Sequence, residues 1–182
     1  EERGVHPSLE SLEQQKQIPP LTLSFKKEID TRAYPILANH VIGGKPVVPF
    51  ALITEWFGHG ALHENPGLVL HGIDDMRILK GVRLDAQKKL IRLFAGKPNR
   101  KNGHYEVSVD LRDGVMEGRE VIPSRGKAIL TDTLPEPPEV DPTRFQVGKS
   151  YPRSVKDVYK DILFHGLELH GLKEIIACSS KG

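Results

Sequence analysis

The chain carries a single cysteine, Cys178, which excludes an internal disulfide and fits a reducing compartment. No apolar run approaches the ~20 residues that span a bilayer. A basic start followed by an apolar core, the mark of a signal peptide, is also missing. A cytoplasmic location is therefore the default expectation, with no membrane partner. Net charge is nearly balanced: 26 Lys and Arg against 24 Asp and Glu leave +2, and aromatics are 6% of the residues. With no long basic run either, nucleic-acid binding gains no electrostatic support. No G-x-G-x-x-G or P-loop is present to cradle a phosphate, and no G-x-S-x-G nucleophile elbow occurs. Internal repeats and low-complexity segments are absent too. What is there suits a soluble globular chain. The 182 residues are 38% hydrophobic and 27% charged, enough for one domain, or one domain with part of another.

Residues 1–20, "EERGVHPSLESLEQQKQIPP", show no core pattern and read as a linker or the tail of a preceding domain. The start at Glu1 and the apolar ending "KEIIACSSKG" suggest a piece of a longer polypeptide. "LTLSFKKEID" alternates Leu21, Leu23 and Phe25 with polar neighbours, the period of a half-buried strand. "TRAYPILANHVIGGKPVV" carries turn residues throughout and reads as an irregular crossing segment. From Pro49 the spacing turns helical: Leu52, Ile53, Trp56, Phe57, Gly60 and Ala61 make a helix apolar nearly all round, hence buried. Asn65, Pro66 and Gly67 end it. "LVLHGIDDMRILKGVRL", "KKLIRLFAGKP", "HYEVSVDLRDG" and "EVIPSRGKAILTD" then follow as strands separated by turn residues, which favours an antiparallel sheet. One strand, a long buried helix and several long strands make an α+β arrangement. It is the hotdog fold, a helix wrapped by a curled antiparallel sheet, over residues 21–134. Residues 135–150, with "LPEPPEVDP", form a proline-rich linker. Residues 151–182 read as a helix, a glycine-interrupted turn and a new strand, with Cys178 buried in it.

"HVIGGKPVVP", residues 40–49, holds the most suggestive chemistry. Pro49 suits the first turn of a helix, whose unpaired amides and dipole give that end partial positive charge. Gly43 and Gly44 let a backbone N–H approach a ligand closely. A histidine just upstream, His40, has the right acidity to remove a proton beside a carbonyl polarised by those donors. The same spacing equally describes a turn whose histidine caps a neighbouring carbonyl.

His40, Gly44 and Pro49 reproduce the H-x-x-x-G-x-x-x-x-P motif, and the chain here resembles the dehydratase domains of polyketide synthases and related polyunsaturated fatty acid synthases. "VVP" before a long buried helix, then "GIDDMRILKGVRL" and "SRGKAIL", follow the order of that family's N-terminal hotdog over residues 21–135. The resemblance implies a double hotdog whose halves share an acyl tunnel, with residues 151–182 opening the second. It implies loss of water from a 3-hydroxyacyl thioester carried on the phosphopantetheine arm of an acyl carrier protein, giving the 2-enoyl thioester without a further cofactor. His40 would take the α-proton, the Gly44 N–H would hold the carbonyl, and Pro49 would set the turn. An aspartate of the second hotdog would protonate the departing hydroxyl. The other domains of such a synthase become expected partners. "EERGVHP" resembles the segment that follows a ketoreductase domain.

Three departures accompany the resemblance. Phe50 stands where the family has glycine after the motif proline, bulk that narrows the tunnel or alters its acyl preference. The family's Y-G-P-x-F element is matched by His165-Gly166-Leu167-Glu168-Leu169, so His165 replaces the tyrosine as a hydrogen-bonding group toward substrate, or is simply a helix-terminal histidine. No Asp here occupies the context of the catalytic aspartate. A dehydratase-like domain kept for docking or for holding the acyl chain is thus an alternative to an active one, as is a hotdog thioesterase, although no carboxylate that would activate water is identifiable. His59 and His63, four residues apart on one helix face, have a zinc-binding spacing, but without H-E-x-x-H or cysteines they fit a wet helix edge better. No metal is expected. The basic residues of "GVRLDAQKKLIRL" read as the wet face of a strand and a potential contact for an acidic carrier. Trp56 reads as core. An isolated hotdog exposes an apolar helix face and a sheet edge, so homodimerisation or pairing with a second hotdog half is expected.

Overall fold

The computed structural model describes residues 20–85, 88–141 and 148–178. In chain order its elements are β1 (Thr22–Ile29), β2 (Val41–Ile42), β3 (Lys45–Pro46), α1 (Phe50–His63), β4 (Val69–Ile78), β5 (Lys89–Ala95) and β6 (Asn99–Lys101). After these come β7 (His104–Arg112), β8 (Val115–Met116), β9 (Arg119–Glu120), β10 (Ser124–Thr131) and α2 (Val155–Asp161). The long strands pair antiparallel in the order β1-β5-β7-β10-β4, and α1 packs against all five. That is an α+β hotdog, as the strand–helix–strands pattern foretold.

Period-two alternation builds the core. Ile91 and Leu93 of β5, Val107, Val109 and Leu111 of β7, and Ala128 and Leu130 of β10 face the helix and are fully buried. They meet Ile53, Trp56, Phe57 and Ala61 from α1, and Tyr34 packs edge-on against Trp56 with ring centres 6.3 Å apart. Burying a side chain such as Phe57 contributes roughly 1.5–3 kcal/mol. Gly60 brings β5 close to the helix: a Cβ there would lie 1.6 Å from Leu93 Cδ2. The opposite edge of α1 is wet, with Glu55, His59 and His63 exposed and His59 Nε2 3.8 Å from Glu55 Oε1.

Several local expectations are corrected. Leu23 does not point inward; it is exposed, because the pairing of β1 with β5 skips Ser24 between Leu23 and Phe25. This bulge turns the Ser24 hydroxyl toward α1, where it donates to the Gly60 carbonyl at 2.7 Å. Pro49 caps the helix rather than entering it: its ψ of 146° is extended, and its carbonyl accepts from the Leu52 and Ile53 amides. The "irregular" crossing segment contains a 3-10 turn at Pro35–Asn39 and the β2–β3 hairpin. Cys178 is exposed, and "KEIIAC" forms no strand beyond one bridge to Lys149. The single bridge leaves Ile176 exposed as well. The linker or domain tail read over 1–20 lies, but for Pro20, outside the described residues. Among the described residues, no helix is long and apolar enough to cross a membrane.

Candidate active site

Gly43 and Gly44 adopt φ of +59° and +76°, forming the two-residue turn of the β2–β3 hairpin, a conformation that side chains with a Cβ resist. The hairpin continues past its formal ends, where the Val47 amide donates to the His40 carbonyl at 2.9 Å. The reciprocal backbone bond is missing, because the His40 amide turns back to the Leu37 carbonyl at 3.3 Å. The His40 ring takes its place, with Nδ1 2.8 Å from the Val47 carbonyl oxygen. A carbonyl only accepts, so Nδ1 carries the proton of the neutral ring and Nε2 keeps the free lone pair. The backbone thus fixes the tautomer that leaves a base.

A second segment crosses this histidine from the far end of the chain. Helix α2 is capped by Ser154, whose Oγ accepts from the Asp157 amide at 3.1 Å. The chain beyond it returns as a strap. His165 pairs with His40 in an antiparallel bridge, and the Gly166 amide donates to the Asn39 carbonyl at 2.7 Å. Asn39 Oδ1 accepts from the Glu168 amide at 3.3 Å. The strap is laced to α2 as well: His170 stacks on Tyr159 at 3.7 Å, and its Nε2 donates to the His165 carbonyl at 3.2 Å.

These contacts put three rings together. The His40 ring centre is 5.0 Å from that of Phe164 and 5.5 Å from that of His165, both edge-on, while Phe164 and His165 stack at 4.5 Å. His165 Nδ1 is buried with no hydrogen-bond partner among the described residues. An unpartnered buried nitrogen carries a penalty of roughly 1–3 kcal/mol.

The structure therefore brings His40 and His165 into one cluster across 125 positions of sequence. Gly44 sits exposed at the hairpin tip, Pro49 at the helix cap, and Phe50, the first residue of α1, is 56% exposed. Sequence reading missed Asn39 and Phe164, which belong to the cluster through pairing and stacking. The only signal for Phe164 was an aromatic residue directly before His165-Gly166.

A long helix wrapped by a curled antiparallel sheet is the hotdog fold, and here a histidine lies on the segment leading into the helix. No family model matches the chain. Its fold is that of the dehydratase domains of polyketide synthases. A trans-AT polyketide synthase dehydratase domain from Brevibacillus brevis superposes with a TM-score of 0.66 at 17% identity, covering 84% of this chain and 58% of that one. The dehydratase domain from the CurK module of the curacin polyketide synthase gives 0.63 at 15% identity, covering 88% and 57%. That domain is also solved as two inactive mutants, one with histidine replaced by phenylalanine and one with aspartate replaced by asparagine. In sequence, the chain is 24% identical over 165 residues to a polyunsaturated fatty acid synthase polypeptide of Thraustochytrium sp., covering 90% of this chain and 6% of that protein. The chain thus spans just over half the length of these solved domains and a small part of that synthase polypeptide.

Proposed function

We propose that the chain is the histidine-bearing part of a dehydratase domain of a polyketide or fatty acid synthase. It would act on 3-hydroxyacyl groups held as thioesters on an acyl carrier protein, beside the other domains of the synthase. The observation that carries this is the His40–Val47 bond, which presents Nε2 as a base. In the reaction Nε2 takes the proton from C2, and negative charge grows on the thioester oxygen. The C2–H electrons then form the C2=C3 bond as the C3–O bond breaks and the hydroxyl leaves as water. Gly44 N–H is our donor for the developing oxyanion, and Pro49 fixes the approach to α1. His165, whose ring lies 5.5 Å from that of His40, is our candidate for a hydrogen bond to the substrate. Phe50 borders the acyl path. The acid that protonates the leaving hydroxyl we assign to an aspartate of the second hotdog half, which residues 151–182 open. The inactive histidine and aspartate mutants of the CurK domain support this division of labour. Proton transfer and electrostatics suffice, so we propose no cofactor besides the phosphopantetheine arm.

The test is formation of 2-enoyl product from 3-hydroxybutyryl and 3-hydroxydecanoyl carrier thioesters by the protein and by His40→Ala. Loss of a general base lowers the rate about 10²–10⁴-fold. Equal product from both proteins refutes the assignment.

A non-catalytic, acyl-holding domain is the competing reading. It is favoured by the Phe164 ring packed edge-on against His40, with ring centres 5.0 Å apart. Carrier binding without turnover in the same assay selects it. Among the described residues the outer strands β1 and β4 each pair on one side only, and we propose that one pairs with a second hotdog or a second copy. A molecular mass that stays monomeric across a wide concentration range in size-exclusion chromatography opposes pairing with a second copy.

A further inference from the structure

The β2–β3 hairpin that cradles His40 has a second side. Val47 bridges to Arg83, the Val48 amide donates to the Val82 carbonyl, and the Leu84 amide donates to the Pro46 carbonyl. This added strand segment forms the wall of a cleft of about 640 Å³, into which Lys45, Lys80, Arg83 and Lys89 project with Val115 and Met116. The carboxylates in the cleft are Asp85 and Asp113, and both are taken: Lys45 pairs with Asp85, and Lys89 lies 3.0 Å from Asp113. Among the described residues, the exposed Lys80 and Arg83 have no ion-pair partner. The Asp85 carboxyl is held below its ordinary pKa first by Lys45, with Lys89 and Arg83 adding to the pull. The site is cationic in excess.

The other wall is apolar and pre-shaped. The β8–β9 hairpin turns through Glu117 and Gly118, both at positive φ, and is fastened at its base. Glu120 pairs with Arg92 and Arg112, and the Asp113 amide donates to the Val121 carbonyl. Its first strand, β8, holds Val115 and Met116 out into solvent, 65% and 57% exposed. Methionine is a soft, adaptable contact residue suited to a protein surface. With no aromatic side chain in the cleft to stack on bases, it does not suit single-stranded nucleic acid. Two exposed cations without an ion-pair partner, beside an apolar hairpin strand, match an acidic protein face carrying an apolar side chain.

We propose that this cleft docks the carrier protein that delivers the thioester, with an acidic helical face on Lys80 and Arg83 and an apolar residue against Val115 and Met116. The proposal rests on the reading of the chain as acting on a carrier-borne acyl group. It adds where the carrier sits: one strand away from the carbonyl that orients His40.

The test uses the double variant Lys80→Glu/Arg83→Glu in the full polypeptide, with near-ultraviolet circular dichroism to establish that it is folded. Binding of fluorescent acyl carrier protein bearing phosphopantetheine is read at low and high salt. Turnover is read with 3-hydroxybutyryl carrier protein and with 3-hydroxybutyryl N-acetylcysteamine, which needs no docking. The variant should bind the carrier at least about tenfold more weakly and lose most of the salt dependence. Its kcat/KM for the carrier-borne substrate should fall by a similar factor, while the small thioester is turned over as before. Unchanged carrier binding in the variant, or no carrier binding by the parent protein, overturns the docking site and leaves the dehydratase reading intact. Enoyl formation that does not depend on His40 overturns the dehydratase reading, and the binding comparison still decides the docking site.

Discussion

Two descriptions of His40 that compete in the sequence are compatible in the structure. Capping the Val47 carbonyl through Nδ1 leaves Nε2 with the free lone pair that the proposed base needs. The functions separate by substitution. His40→Asn keeps a short amide donor for the Val47 carbonyl and removes the base, so it should melt close to the parent and form enoyl product about 10²–10⁴-fold more slowly. His40→Ala loses the bond too, at a cost of about 1 kcal/mol, a fall of a few degrees in Tm for a chain of this size. Thermal unfolding of the pair checks this; equal Tm values for the two variants would mean the bond contributes nothing. At Gly60 helix propensity and packing pull in opposite directions. Alanine is the better helix former by about 1 kcal/mol, but its Cβ would lie 1.6 Å from Leu93 Cδ2 in the buried core. Overpacking of that kind costs about 1–3 kcal/mol, and the clash with a fully buried side chain should win. Gly60→Ala is therefore expected to lower the urea midpoint without changing its slope.

At the level of elements, what was legible depended on how far a pattern extends. Strands β4, β5, β7 and β10 and the helix α1 run for seven residues or more, long enough for a period of 2 or 3.6 to declare itself. β2 and β3 have two residues each, too few for any period, so only their glycine turn was visible. The Ser24 bulge was hidden for a different reason: it is a property of the pairing with β5, and nothing in "LTLSFKKEID" alone marks which residue is skipped. The meeting of His40 with His165 is a tertiary event between segments that show no mutual pattern. The strap should accordingly be the weaker part of the site. At Gly166 a Cβ would lie 2.3 Å from Asn39 Oδ1, so Gly166→Ala should push the strap off Asn39 and break the 2.7 Å amide bond. Hydrogen exchange should show residues 163–170 losing roughly 1–2 kcal/mol of protection, with β7 and β10 unchanged. Protection lost equally in the sheet would show that the strap and the hotdog unfold as one unit.

Across the whole molecule, the paired surface charges respond to acid with a determinable sign. The carboxyls of Glu120, held chiefly by Arg112, Glu106, held chiefly by Lys101, and Asp85, held chiefly by Lys45, all lie below their ordinary pKa values. Each binds protons less readily folded than unfolded, so its stabilisation is present at neutral pH and above. It is lost as pH falls below about 4 and through the folded-state values. Asp110 acts the other way. Burial raises its pKa against the opposing pull of Arg125 and Arg112, each 3.8 Å from one of its oxygens. Its folded form takes up a proton first, which favours the fold as the medium becomes acidic. Asp110→Asn removes that counterweight and leaves the three depressed carboxyls in place. Between pH 6 and pH 3 the variant's urea midpoint should therefore fall more steeply than the parent's, whatever the two values at pH 7. A shallower fall in the variant would mean that Asp110 is held ionised by its two arginines and that burial is the lesser influence on it.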